Sequence, residues 1–493
     1  MLLRKALLSS LLALVATSAA RQEAFQAGQY KQYDEGLFSP FEDLSALSES
    51  AYTTLGHPEF PKHGVRIKKN TDFCDPSVTS YTGYIDVEAR HLFFYFFESR
   101  NDPDKDDVIF WTSGGPGGSS AFGLFMELGP CRPNANGTGV VVHPESWNNF
   151  ANVFFIDQPI GVGFSYADHG EFVSTTEEAA VDIAAFVAIF FQNFVQFEGR
   201  PFHMAGESFG GRYIPLFASA VYDQNAKLSA AGLTPINLKS VMIGNGYTDF
   251  HGMFSSYYDI VCTPVSVPPV LDIATCVRMK QTLPRCQKML KKFCIDIYDS
   301  ISCGSAAAFC NAEQTNPFFM SGLNPYDITQ KCEGEILDTF CYPITKLITA
   351  YLNRPEVRKK IGIDPSFAGN FSLVNMEVNA AFQYGLDDIR PTQNYVAALL
   401  ERGVKALIYV GKNDFGCNHV GNEAFTSNLE WTGHEAFNDQ PIKDWYVDGK
   451  VAGQRRSANG LSFVTFEGAG HMVPYDKPAE CLEMVKRWLN EDI

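Results

Sequence analysis

Residues 206–211 read GESFGG, and the apolar stretch FHMAGE at 202–207 runs straight into them. Glycines before and after Ser208 let a chain reverse sharply between a strand and a helix, and such a turn lifts a serine hydroxyl clear of the sheet. The spacing therefore predicts a strand over FHMAGE, a tight turn at Ser208 and a helix over 209–223. G-x-S-x-G has only three defined positions, so its meaning depends on the segments around it.

Those segments repeat one plan. HLFFYFFES, DVIFWT, NVFFID, FHMAGES, LKSVMIGN, KALIYVG and LSFVTFEG are short apolar runs bounded by Gly, Pro, Asn or Asp, as strands buried on both faces are. Helical stretches lie between them. One starts at Thr175, with Glu178 spaced for a capping box, and others are predicted at 344–360, 392–402 and 478–490. Alternating strand and helix implies an α/β fold with a mainly parallel central sheet and helices on both faces. The alternation breaks over 247–343, an expected cap insertion, where Cys262, Cys276, Cys286, Cys294, Cys303 and Cys310 crowd together.

The opening residues, MLLRKALLSSLLALVATSAA, carry a basic pair, an apolar stretch and small residues at 18–20, which marks 1–20 as a secretory signal rather than a membrane anchor. Residues 21–62 are polar and aperiodic, a pro-segment or loosely packed N-terminal arm ahead of a catalytic domain at 63–493. No second membrane span is expected; the apolar run Ile183 to Phe191 is too short and reads as a buried helix. Twelve cysteines on a secretory route should mostly pair. A net charge of -17 argues against a nucleic-acid partner, because that binding rests on basic side chains displacing counterions. The sequons at Asn136 and Asn370 are glycosylation candidates. No metal or other cofactor is expected, since no HxxE or HExxH pattern comes with a credible third ligand.

A serine hydroxyl is a poor nucleophile at neutral pH and needs a histidine base steadied by a carboxylate. On this architecture the chain order is serine, acid, histidine. Of the four histidines after Ser208, His471 alone follows a clear late strand in a Gly-rich loop, and KALIYVG runs into Asp414 one strand earlier. Negative charge developing on a substrate carbonyl requires amide donors. Phe209, next to the serine, supplies one, and Gly115 in the loop after DVIFWT supplies the other.

These residues resemble the serine carboxypeptidases of the α/β-hydrolase fold, the group that includes vacuolar carboxypeptidase Y and the plant enzymes. WTSGGPGGSS is similar to that family's WxNGGPGCSS, IDQPIGVGFSY to VDQPxGxGFSY, GESFGGRYIP to GESYAGxYIP, GKNDFGCNHVGN to GxxDFxCNxxGN, and GAGHMVPYDKP to GGHMVPxDxP. The resemblance runs from residue 71 nearly to the C-terminus. It implies a triad of Ser208, Asp414 and His471, with Gly115 and Phe209 as oxyanion donors. It also implies a site for the terminal carboxylate of a peptide built from Trp111, Ser113, Gly114, Glu127 and Glu207. Cys417, as a reduced thiol, and Met472 would line the pocket for the last side chain. The substrates so implied are peptide or protein C-termini, cleaved through an acyl-enzyme at acidic pH, in a vacuole-like or extracellular setting. The alternatives are an acyltransferase or esterase on the same scaffold, and a non-catalytic binding or protective protein.

Two departures stand out. Ser113 replaces the family's asparagine, and Gly118 replaces a cysteine whose distant partner is missing too, since no cysteine lies between Cys341 and Cys417. The resemblance implies the pairs Cys262 with Cys276, Cys286 with Cys310, Cys294 with Cys303, and Cys332 with Cys341. Cys74, Cys131 and Cys481 remain, an odd number, with connectivity open.

Overall fold

The computed structural model describes residues 40–41 and 43–492. The expected signal at 1–20, and the first part of the segment 21–62, lie outside the described residues. Twelve strands of the main sheet are β1 (Thr53–Gly56), β2 (His63–Asn70), β3 (Ser80–Val87), β4 (Arg90–Phe97), β5 (Asp107–Thr112), β6 (Ala151–Ile156), β7 (Phe202–Glu207), β8 (Leu238–Gly244), β9 (Lys405–Gly411), β10 (Lys443–Val447), β11 (Lys450–Ala458) and β12 (Leu461–Phe466). Their spatial order is β1-β2-β3-β4-β6-β5-β7-β8-β9-β12-β11-β10, and a two-residue strand, Tyr166–Ala167, also pairs with β4. The centre, from β6 to β12, is parallel throughout. Antiparallel strands extend it on both sides.

Side chains alternate across each strand, so one strand feeds two cores. Phe94 and Phe96 of β4 join one apolar cluster with Phe110, Phe154 and Phe190. Phe93, Tyr95 and Phe97 join the other, with Ile109, Trp111 and Phe155. The helices Thr176–Asn193 and Gly210–Ala230 cover the first face, packed against one another. Thr175 caps the former as its spacing predicts, its Oγ1 accepting from the Glu178 amide at 3.3 Å. Behind them Arg212, 1% exposed, ties three segments together through Asp387, Glu177 and Thr392.

Three expectations change. The stretch 344–360 is two helices, Ile344–Leu352 and Pro355–Ile361, because Pro355 forces Arg354 out of the helical region to ψ 131°. The segment 21–62 is not loose where it is described. Leu44, Leu47, Leu55 and Phe60 are buried, and β1 pairs with β2; sparse apolar anchors in a polar stretch leave no period to read. The excursion between β8 and β9 occupies 245–404 rather than ending at 343. Its disulfide-stapled part has its own core, with Cys286, Cys294, Cys303 and Cys310 packed near Phe318 and Phe415.

The cysteine pairs 262–276, 286–310, 294–303 and 332–341 are all bonded. Cys74 bonds to Cys131, which leaves Cys417 and Cys481 as buried thiols among the described residues. No helix of the described residues is long and apolar enough to cross a membrane. Asn136 and Asn370 are both exposed.

Candidate active site

The triad residues and Gly115 each sit in a loop past the carboxyl end of a parallel strand. In open α/β sheets that edge forms the natural crevice, since loops there diverge around exposed strand ends. β7 ends at Glu207, β9 at Gly411, β12 at Phe466 and β5 at Thr112. The loops after them bring Ser208, Asp414, His471 and Gly115 to one place.

Ser208 has φ 63°, a left-handed conformation that costs a non-glycine residue on the order of 1–3 kcal/mol. Four backbone hydrogen bonds hold it there. Its amide donates to the carbonyls of Gly244 and Asn245, both at 3.1 Å, and its carbonyl accepts from Gly211 at 2.9 Å and Tyr247 at 2.8 Å. The glycines are required by proximity. A Cβ on Gly206 would lie 2.8 Å from Ile214 Cγ1, and one on Gly211 would lie 2.6 Å from the Tyr247 amide.

His471 Nδ1 meets Asp414 Oδ2 at 2.7 Å, and both side chains are buried. Burial by itself would lower the imidazole pKa, but the charge and hydrogen bond of Asp414 outweigh it and the value rises. Asp414 accepts three further hydrogen bonds, from Asn245 Nδ2 at 2.9 Å, the Cys417 amide at 3.0 Å and the Gly416 amide at 2.9 Å. Asp414, Cys417 and His471 lie within 4.8 Å of one another by their ligating atoms. With both oxygens of Asp414 occupied by protein donors, the set fits a held imidazole better than a metal centre. Asn245 is a residue that the sequence reading missed. It bridges Asp414 to the Gly411 amide, and no motif spacing marks it.

Gly115, at φ 119°, faces Ser208 across the cleft, and among the described residues neither its amide nor that of Phe209 donates to a protein group. Gly114 abuts the same turn: a Cβ there would lie 2.4 Å from the Phe209 amide nitrogen and 2.6 Å from the Glu207 carbonyl.

Two cavities meet at Ser208 and His471. The first, about 450 Å³, is lined by Ser113, Gly114, Glu127, Glu207 and Met472, with an apolar wall that includes Phe340. Glu127 and Glu207, 2% and 5% exposed, are both buried in the wall of this cavity and interact through their charges. Burial raises Glu127 to about 7, and raises Glu207 well above the carboxylate range, with the charge of Glu127 adding to it. At least one proton therefore stays in the pair near neutrality. Trp111 Nε1, Ser113 Oγ, Glu127 Oε2 and Glu207 Oε2 are all buried without a hydrogen-bond partner. Unpaired buried polar atoms are costly, so the three on the wall of this cavity mark a site shaped for a polar ligand, while Trp111 lines neither cavity.

The second cavity, about 540 Å³, holds Cys417 with Phe209, Tyr247, Phe254 and Tyr257. Cys417 was expected beside Met472, but the two line different cavities. Burial, and then the charge of Asp414, raise its thiol well above the ordinary range, so it is neutral. Segments 326–340 and 374–388 wall both cavities. Their apolar residues carry no chemical signature, which is why sequence reasoning passed over them.

Serine, acid and histidine after the parallel strands β7, β9 and β12, under a stapled cap, define an α/β-hydrolase. The chain belongs to the serine carboxypeptidase family, whose profile, described as "Serine carboxypeptidase", matches residues 70–491. Carboxypeptidase Y of Candida albicans is 41% identical over 437 residues, 88% of this chain and 78% of that protein. Carboxypeptidase Y of Komagataella phaffii is 38% identical over 442 residues, 88% of this chain and 80% of that one. Among solved structures, Kex1(delta)P, a prohormone-processing carboxypeptidase from Saccharomyces cerevisiae, superposes with a TM-score of 0.73. It covers 90% of this chain and 96% of its own at 23% identity, a likeness of fold.

Proposed function

We propose that this protein removes the last residue of a peptide through Ser208, His471 and Asp414. The Ser208 oxygen bonds to the last peptide carbonyl carbon while its proton passes to His471, and the C–N bond then breaks as His471 protonates the departing amine. Water, deprotonated by the same imidazole, cleaves the resulting ester and restores the serine. Asp414 holds the tautomer, and the Gly115 and Phe209 amides carry the oxyanion.

Trp111, Ser113, Gly114, Glu127 and Glu207 bind the terminal carboxylate, with Met472 beside the departing side chain. The observation that carries this reading is the set of three unpartnered buried polar atoms, on Ser113, Glu127 and Glu207, in the cavity that holds the nucleophile. A carboxylate fits them best while both glutamates are protonated and the pair carries no charge, which favours binding below about pH 7. Five disulfides and exposed sequons favour a secretory route, ending in a vacuole-like compartment or outside the cell. Because β1 and its anchors belong to the core, the catalytic body starts ahead of residue 63.

The test is a blocked dipeptide offered as free acid and as C-terminal amide, with native protein and Ser208→Ala. Release of the last residue from the acid, preferred over the amide at low pH and lost in the variant by at least about a thousandfold, is expected. Equal use of acid and amide would overturn the carboxylate site, and retained turnover in Ser208→Ala would overturn the nucleophile.

A further inference from the structure

Terminal-carboxylate recognition assigns the first cavity to the departing residue. The second cavity opens at the same Ser208 and His471 but contains none of Ser113, Glu127 or Glu207, so it receives the residue on the acyl side of the scissile bond. Its wall is mainly apolar and aromatic, with Phe254 and Tyr257 at 4% and 5% exposed and Leu386 and Ile389 alongside, and its neutral polar side chains include Asn311, Thr315 and Gln383. One carboxylate interrupts it. Asp388 lines this cavity, and its Oδ1 is buried without any hydrogen-bond partner.

The neighbouring charges do not neutralise that group. Arg212, the nearby cation, already donates to Asp387 at 3.0 Å and Glu177 at 2.8 Å, and Asp387 is further held by Thr176. Among the described residues no cation forms an ion pair with Asp388. Tyr247, from the loop after β8, and Tyr257, from the helix Phe250–Cys262, face it across the cavity, which Tyr326, Tyr384, Cys417 and His471 also line. Burial holds both phenols neutral, and the Cys417 thiol is neutral too. A lone carboxylate at the side of an apolar slot matches one chemistry. A four-carbon stem packs along the aromatic wall, and a terminal cation completes the unpaired acceptor.

We propose that Asp388 makes this carboxypeptidase select a cationic side chain, lysine or arginine, at the penultimate position of its substrates, and reject an acidic one. This rests on the reaction assigned above. A lysine substrate gains over an isosteric neutral one only while Asp388 is ionised. Burial raises its carboxyl to about 6, with Asp387 adding to the rise and Arg212 opposing it, so the preference grows as pH climbs through about 6.

The experiment compares kcat/KM for blocked dipeptides that differ only in a penultimate lysine, norleucine or glutamate, from about pH 5 to about pH 7.5. Every other ionisation cancels in the lysine-to-norleucine ratio, because both substrates meet the same His471 and the same glutamate pair. The native protein should favour lysine over norleucine, with a ratio that rises severalfold across the range, and should use glutamate least. Asp388→Asn should lower the ratio by about tenfold and flatten its pH dependence. A native ratio near one at every pH overturns the proposal even if the variant does not fold. So does an unchanged ratio in a folded Asp388→Asn. Failure to release the last residue from any of the substrates overturns the reaction assignment instead, and this proposal with it.

Discussion

Glu127 and Glu207 show how little a residue's identity says without its surroundings. In the sequence each is one of 56 acidic residues. In the fold both are buried on one cavity wall, and their carboxyl values move upward together. A substrate carboxylate placed beside them is repelled once Glu127 gives up its proton, while Glu207 keeps its own to higher pH. KM for free-acid peptides should therefore climb as pH rises through about 7. In Glu127→Gln one negative charge is absent, so that climb should shrink by about tenfold. Steady-state kinetics on acid and amide substrates checks this; a KM profile unchanged by the substitution would rule the pair out as the proton store. Ser208, Asp414 and His471 were legible because a motif or a strand end marks each. Asn245 and Asp388 were not, because their significance lies in the atoms around them: Asn245 spans Asp414 and Gly411, and Asp388 stands alone in an apolar wall.

At the scale of elements, strand ends and turns do the positioning. The turn after β7 and the loop after β5 touch each other, with the Gly114 position 2.4 Å from the Phe209 amide when a Cβ is built on it. Gly114→Ala must push the loop and the elbow apart, and with them the two amides proposed to hold the oxyanion. We expect kcat to fall by about a hundredfold or more, with a smaller change in KM, since the amides matter most as charge develops on the carbonyl. A variant with native kcat would show that the two segments tolerate separation. The central strands were readable from their apolar runs, because a strand buried on both faces has no room for polar residues. Antiparallel β2 and β3 were missed: HGVRIKKN and SYTGYIDV mix polar and apolar residues and offer no comparable run. The single helix expected over 344–360 failed at a proline, where a local steric rule overrode a continuous apolar period.

For the molecule as a whole, buried titratable groups set the response to pH. Glu127 at about 7, Asp157, Asp388 and Asp476 at about 6, and Glu207 higher still, all exceed the roughly 4 of an unfolded carboxyl. The folded chain binds more protons than the unfolded one there. Their stabilisation is complete below about pH 4 and is lost as pH rises through 6 and 7. His91 and His471, raised by Asp86 and Asp414 respectively, act in the same direction. His57, His143 and His419, lowered by burial to about 4, act oppositely, losing stabilisation as pH falls below about 6.5. The first group is larger, so the melting temperature at about pH 5.5 should exceed that at about pH 7.5 by a few degrees. Thermal melts across this window check it, and a decrease on acidification would contradict it.

The order of strands and helices, the elbow around Ser208, the loops bearing Asp414 and His471, and four of the disulfides follow from the chain itself, through local patterns and the family motifs. Such features repeat a physical rule at short range: alternation, capping, or glycine where only glycine fits. Folding alone decided that Cys74 joins Cys131, that Leu44, Leu47, Leu55 and Phe60 anchor residues 43–62 to the core, and that Cys417 and Met472 face different cavities. Each of those depends on the distance between segments far apart in the chain. Burial, charge coupling and cavity shape exist only once the segments are packed.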